Sequence, residues 1–505
     1  MSLPTDSFAA YEYEYNYGYG DSNSTQYEYY DENGQLIEDE DSRSFAPQVY
    51  PDVSWFDYTK PKKKYEITNE AQLLGLASLV NEQQAMWKTN RYETFEGVTF
   101  NLMNDIKLIE PWVPIGYDDH VTFKGVFNGN GHTISNVNTE VTGGYAGFFG
   151  YLSGTVKGLN LQGTVTASGS ECGALAGHLV YGARVRDCTA DVSVTAGAKT
   201  GGIVGCNQGG VIRGCINKGK VKGTVKVGGI VGENRGSVIC CGNRGNVRST
   251  SRGMTTFGTG GVAGRSVSEG ARIDRCYNTG KVTSATEGTG GIAGYSNTEG
   301  SLITNSYNIG TIVVKNPKAI SGIVSPKGYA GGVVGIVGLK GVYIRNCYNA
   351  GDILNSQITG GVIGKYDNVS KIREDKYIEN NYFTNQNVKY GVGLDTSGGS
   401  RNISRGTIVI SAGSLISGSA NIGPFYINDS SATYGNNSYP VLKWQQPLPE
   451  SEKHYMSCIP VTVQKELNQY ILDHNQENAK GDSVMMFFNH YEFTSKAMGE
   501  YTDAK

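Results

Sequence analysis

Eight short phrases, each closing on a glycine, constrain this chain more than any other feature. They read GYAGFFG, CGALAG, GGIVG, GGIVG, GGVAG, GGIAG, GGVVG and GGVIG, and close at Gly150, Gly177, Gly205, Gly232, Gly264, Gly294, Gly335 and Gly364. The steps between these glycines are 27, 28, 27, 32, 30, 41 and 29 residues. A period in this range marks a solenoid, in which a repeat buries its apolar face only by stacking on its neighbours. In the repeat GGIVGENRGSVICCGNRGNVRS, three short apolar runs (Ile230-Val231, Val238 to Cys240 and Asn246-Val247) are separated by glycine corners. Three short strands per repeat is the arithmetic of a parallel β-helix coil. An α-solenoid repeat needs two helices of about ten or more residues, and nothing of that kind fits between these glycines. The expected fold is all-β, a right-handed parallel β-helix. An N-terminal helical cap, a disordered acidic Tyr-rich N-terminal segment and a small C-terminal appendage complete it.

Residues 1–64 read as the tether, because the Tyr/Glu alternation of AYEYEYNYGYG carries too much charge and too few aliphatics to offset the entropy of ordering it. Residues 1–45 hold 11 acidic side chains against Arg43 alone. Residues 65–145 read as cap and opening coils. Tyr65-Glu66-Ile67 is a short strand, and Asn69 with Gln72 forms a capping-box pattern before AQLLGLASLV. A helix apolar on most sides suits the open end of a β-stack, which it would plug. Residues 146–390 carry the repeats, 391–446 the closing coils, and 447–505 a linker and a small segment. With 70 glycines but no Gly-X-Y period, collagen is excluded. No apolar run approaches the ~20 residues of a transmembrane segment. No apolar signal-peptide core follows Met1, which leaves a cytosolic chain or, as expected here, a mature one whose targeting segment has been removed.

Cys188, Cys215, Cys241, Cys276 and Cys347 occupy one repeat position, shared with Ser306 and Asn381. Small residues interchangeable in one slot describe an inward stack filled by volume, with disulfides between neighbouring coils as the alternative. No C-x2-C pair occurs, so no metal is expected. Two residues on comes Asn (217, 243, 278, 308, 349), and two further Gly (219, 245, 280, 310, 351). The glycine is expected to turn a corner at positive φ. The asparagine is expected to bond the corner backbone, or its own copies in a ladder. Tyr277, Tyr307, Tyr348 and Tyr382 follow the column and so point outward, as candidate ligand contacts or as a stripe packed under a flanking loop or the C-terminal piece. Residues 213–275 hold 12 Lys or Arg against Glu233, Glu269 and Asp274. Lys218, Lys220, Lys222 and Lys226 are the candidate polyanion contacts, the alternatives being a solvated face or a partner for the acidic tail.

The repeats GGIVGCNQGGVIRGCINKGKVKG, TGGVAGRSVSEGARIDRCYNTGKVTS and TGGIAGYSNTEGSLITNSYNIGTI resemble the GLUG-motif family of bacterial surface and secreted proteins. So does the lead-in, from Phe95-Glu96-Gly97 through NLMNDIKL to PWVPIGYDDHVTFKGVFNGNGHTISNV. The resemblance covers about residues 66–444. It implies an extracellular or bacterial cell-surface location and an adhesin-like role, with a glycan or a cell-surface or host protein as ligand. No C-terminal LPxTG-type anchor accompanies it.

The six histidines are isolated in sequence and form no H-E-x-x-H. Asp187, Asp191, Asp274 and Asp352 are scattered one per repeat, not paired across a cleft as glycoside hydrolysis requires. No catalytic residue, cofactor or nucleic-acid partner is expected. A polysaccharide-degrading, pectate-lyase-like β-helix and a passive stalk are the alternatives to an adhesin.

Overall fold

The computed structural model describes residues 48–445 except 58, 82–94, 251–257, 286, 316–327, 339–340, 368–376, 385–387, 397–400, 404–405, 420–421, 424 and 428–438. The expected tether up to residue 47 and the C-terminal segment 447–505 lie outside the described residues.

The chain winds as a β-solenoid, as its period requires. In the coil that starts at Thr200, strands Thr200–Gly201, Val204–Asn207, Val211–Arg213, Ile216–Asn217 and Val221–Gly223 feed four sheets. Among the described residues these sheets hold 6, 10, 11 and 16 strands, stacked in parallel over most of their length. Register is kept through insertions: Arg184, Val211, Ser237, Arg272, Leu302 and Tyr343 follow one another along one sheet. The apolar pair of each glycine phrase, such as Ile203-Val204 or Val333-Val334, is fully buried in one continuous core.

The glycines answer to close approach. A Cβ on Gly202 would lie 2.4 Å from the Asn217 carboxamide carbon, and one on Gly229 would lie 2.2 Å from that of Asn243. The glycine phrase therefore packs directly against the asparagine file across a thin interior. The asparagines make both expected contacts. Nδ2 of Asn217, Asn243, Asn278 and Asn308 donates to the next Oδ1 up the stack at 2.7–2.8 Å. Each also bonds the carbonyl of the glycine two residues on. The corner expectation for that glycine is corrected. Gly219, Gly245, Gly280, Gly310 and Gly351 do not adopt positive φ. What requires glycine there is the neighbouring coil, since a Cβ on Gly245 would sit 1.8 Å from the Gly219 carbonyl oxygen. The left-handed corner falls just before the cysteine column, at Asp187, Gly214, Cys240, Arg275, Asn305, Asn346 and Asn380, with φ between 49° and 64°.

The eight described cysteines are free and buried. Along the column each thiol, and Ser306 in the same slot, donates to the carbonyl two residues before it. This satisfies the slot's polar group in a buried position and explains why Cys and Ser interchange there.

At the N-terminal end, β1 (Lys64–Ile67) pairs in parallel with β2 (Thr99–Leu102), and α1 (Glu70–Asn81) lies between them in sequence. The capping box is displaced by one residue: Asn69 Oδ1 accepts from the Gln72 N–H, but Gln72 Oε1 accepts from Thr68. Leu73, Leu76 and Val80 enter the same core as Phe100 and Leu102, so α1 caps the first coil. The tether boundary at residue 64 is too late. Asp52 N–H bonds the Ala71 carbonyl, and Phe56 is buried against Tyr65 and Phe95. At the other end the chain stops adding coils. After α2 (Ala412–Ile416), an antiparallel pair Tyr426–Ile427 with Val441–Leu442 and the turn Lys443–Gln445 lie back along the outside of the stack.

Candidate functional site

The tyrosine file stands where alternation places it, in register along the widest sheet: Gly242, Tyr277, Tyr307, Tyr348 and Tyr382. It points away from the column, as expected. Its exposure does not hold, because Tyr277, Tyr307 and Tyr348 are buried. Their rings stack at 5.5 and 5.0 Å between centroids, at 13° and 2°. The C-terminal strap covers them: Trp444 lies against Tyr277, and Tyr426 meets Tyr307 and Tyr348 edge-on. Tyr307 Oη donates to Gln445 Oε1 at 3.0 Å, Tyr348 Oη donates to the Pro440 carbonyl, and Trp444 Nε1 donates to the Arg275 carbonyl at 2.9 Å. Tyr382 is half-buried at the margin of this cluster. The file is therefore the seat of the strap, the second of the two roles the sequence allowed.

The basic residues divide. Lys218, Lys220 and Lys222 are exposed on alternate positions of one strand segment. Lys222 pairs in register with Arg248, and Val221, Val247 and Val282 align, which sets Lys220, Asn246 and Lys281 on one level. Asn217 aligns with Asn243, which sets Lys218 beside Arg244. Six exposed cations thus share one face, with ~4.8 Å between strands and ~6.6 Å along them. Lys226 does not belong to that face. It sits at a left-handed corner, φ 54°, with Nζ 2.5 Å from Glu233 Oε2. Arg235 and Arg265 approach the same carboxylate at 3.0 and 3.6 Å. Burial opposes ionisation of Glu233, but Lys226, Lys199 and Arg235 outweigh it and hold the carboxyl below its ordinary range.

One coil towards the N-terminus the same two files bring together residues that the linear sequence keeps apart. Tyr151, His178, Cys206 and Glu233 follow one another in register, and Tyr145, Glu171, Lys199 and Lys226 occupy the left-handed corners beside them. His178 Nδ1 lies 2.6 Å from Glu171 Oε2, Lys199 Nζ bonds Glu171 Oε1, and the Tyr151 ring stacks on His178 at 4.5 Å and 6°. The side chains of His178 and Glu171 are 11% and 12% exposed, close to fully buried. Cys206 Sγ completes the group: one ligating atom from each of Glu171, His178 and Cys206 lies within 4.8 Å of the others. Burial, with Glu171 adding to it, pushes the Cys206 thiol up to about 12. Reading the histidines as isolated missed this cluster. The signal was present: Glu171 to Lys199 and His178 to Cys206 are both one repeat step of 28 residues.

The scattered acids also have assignments. Asp274 is buried between Arg272 and Arg275 at 2.8 and 2.9 Å and accepts from Thr304 and Asn305. Asp191 is exposed, and Asp187 occupies a corner. Among the described residues no helix is long and apolar enough to cross a membrane.

No family model matches the chain. Among curated proteins it is similar to halomucin from Haloquadratum walsbyi (strain DSM 16790 / HBSQ001), at 27% identity over 151 residues. That match takes in 29% of this chain but 2% of halomucin's length. A solved structure from Bacteroides ovatus, named for an immunoglobulin A1 protease, overlaps 77% of this chain and 94% of its own at 19% identity, with a TM-score of 0.39.

Proposed function

We propose that this chain is a non-catalytic, extracellular or cell-surface binding protein of the GLUG-repeat type, whose basic face engages an anionic glycan. The observation that carries the reading is the in-register set of six exposed cations, Lys218, Lys220, Lys222, Arg244, Arg248 and Lys281. A rigid sheet presents these charges at fixed spacing, so a repeating polyanion meets several at once without ordering them first. The limited similarity to halomucin supports an extracellular setting. Asp274, locked between two arginines, is no candidate acid or base.

The test passes the full chain over immobilised heparin, other acidic polysaccharides, neutral polysaccharides and mucins, reading retained protein and released sugar together. Retention on the acidic supports, falling as salt rises and lost on charge reversal of Lys218, Lys220 and Lys222, is the expected result. Lys124→Glu, an exposed position on an opening coil outside the six, is the control. Retention insensitive to salt overturns the polyanion assignment, and release of sugar overturns the non-catalytic one.

A further inference from the structure

We propose that Glu171, His178 and Cys206 form a binding site for a zinc-like divalent transition metal, built by two consecutive coils. The three residue types supply one oxygen, one nitrogen and one sulfur ligand, a set that suits zinc and cobalt and that magnesium and calcium do not favour. Their ligating atoms already lie within 4.8 Å of one another. Tetrahedral zinc, with bonds of ~2.0–2.3 Å, wants its ligand atoms roughly 3.3–3.8 Å apart. The rearrangement required is therefore a closing of about 1–1.5 Å between ligand atoms.

The scaffold is rigid where it needs to be. Cys206 and His178 face each other on adjacent parallel strands, and the stacked Tyr151 ring fixes the imidazole plane. Glu171 holds His178 with Oε2 and Lys199 with Oε1. A metal would take the place of the hydrogen bond between His178 Nδ1 and Glu171 Oε2, and would compete with the Lys199 ammonium for the same carboxylate. Binding displaces the Cys206 thiol proton to solvent, and His178 ligates through Nδ1 as a neutral imidazole with its N–H on Nε2. The sulfur has little to lose, since the contact described for it is a long one, 4.0 Å to Gln208 Oε1. Three protein ligands leave one coordination position for water. The neighbouring coil shows what the same files do without a site: Lys226 and Glu233 form an ordinary ion pair. The other nearby group of ligand types, Asp118, Asp119 and His120, lies in one exposed loop and lacks a sulfur.

Titration of the metal-free full chain with Co2+, followed by Zn2+, tests this directly. The expected result is one tightly bound cobalt per chain, with visible d–d bands of a four-coordinate ion and a sulfur-to-cobalt charge-transfer band that zinc abolishes. Cys206→Ser should remove the charge-transfer band, and His178→Ala should weaken cobalt binding by 10-fold or more. Cys215→Ser, in the buried column, should leave the spectrum unchanged. Lys199→Met, which removes a competing cation, should tighten binding several-fold, whereas a purely structural ion pair predicts no gain. A wild-type chain that gives no charge-transfer band, or a band that survives Cys206→Ser, overturns the proposal. Circular dichroism of each variant shows that the comparison is made on folded protein.

Discussion

Single residues in this fold are judged by the distance to the next coil. Gly280 lies in a position where a Cβ would stand 2.0 Å from the Gly245 carbonyl oxygen. Gly280→Ala must therefore move backbone, and should cost about 3 kcal/mol or more in chemical denaturation. Gly270 has φ 73° but open space around it, so Gly270→Ala should cost only about 1–2 kcal/mol, the ordinary penalty of a left-handed residue. Equal losses at the two positions would show that packing between coils is not what selects glycine. Asp274 makes the corresponding electrostatic case. Burial raises its pKa, but Arg272, Arg275, Thr304 and Asn305 together hold the carboxyl far below its ordinary range. A group depressed in the folded state contributes stability that is complete above its unfolded pKa of about 3.9, and that disappears as pH falls towards the folded value. Glu171 and Glu233 shift in the same direction, Glu171 through His178 and Lys199 against the cost of burial. Stability should therefore fall steeply below about pH 4. Asp274→Asn should flatten that slope while costing about 3–5 kcal/mol at neutral pH, because two buried guanidinium groups lose the carboxylate they share. An unchanged acid slope in Asp274→Asn would remove Asp274 from the account.

At the scale of elements, the strap is a piece that the repeat does not specify. Tyr307 and Gln445 bond across 138 residues of sequence, and Tyr426 meets Asn346 across 80. Leu415, Phe425, Tyr426, Leu442 and Trp444 form their own apolar cluster with the tyrosine file, separate from the solenoid core. Trp444→Ala should destabilise the strap by about 3 kcal/mol, judged by the burial of a large aromatic. Hydrogen exchange at 426–427 and 441–442 should then accelerate strongly, while the asparagine ladder keeps its protection. Uniform acceleration would mean that strap and stack unfold together. The same contrast explains what sequence could reveal. The coils were legible because sterics forces glycine, asparagine and a small column residue to recur at one period. The outward direction of Tyr277, Tyr307 and Tyr348 was legible from alternation alone. Their cover was not, because the strap carries no period and its partners are chosen by surface complementarity over long separations. The Glu171, His178 and Cys206 cluster falls between these cases. Its spacing was on the page, but its meaning appears only when residues one repeat apart are treated as neighbours.

Across the whole stack, cooperativity is carried from coil to coil, so the position of a defect decides what it does. The N-terminal end is closed by α1, with Leu73, Leu76 and Val80 buried against the first coils. Among the described residues the opposite end carries no helix of comparable length: Arg401–Ile403 pairs antiparallel at the end of one sheet, and the strand Thr407–Ile410 at the end of another has Ile408 and Val409 exposed. Closure at one end makes that end a place where unfolding must begin by removing the cap. Leu76→Asp places a charge in a fully buried site, and the coil beneath it loses both its cover and its protected strand edge. Exchange should rise first in β1 and β2, by 10-fold or more, and the effect should decay along the stack. Coils beyond Gly205 are bonded to neighbours on both sides and should stay protected at denaturant concentrations that open the cap. Gly280→Ala should do the reverse, weakening the middle of the stack and splitting a single transition into two. If Leu76→Asp instead lowers protection equally from Thr99 to Ile363, the solenoid is one cooperative unit. Its coils then do not contribute as separable nearest-neighbour terms.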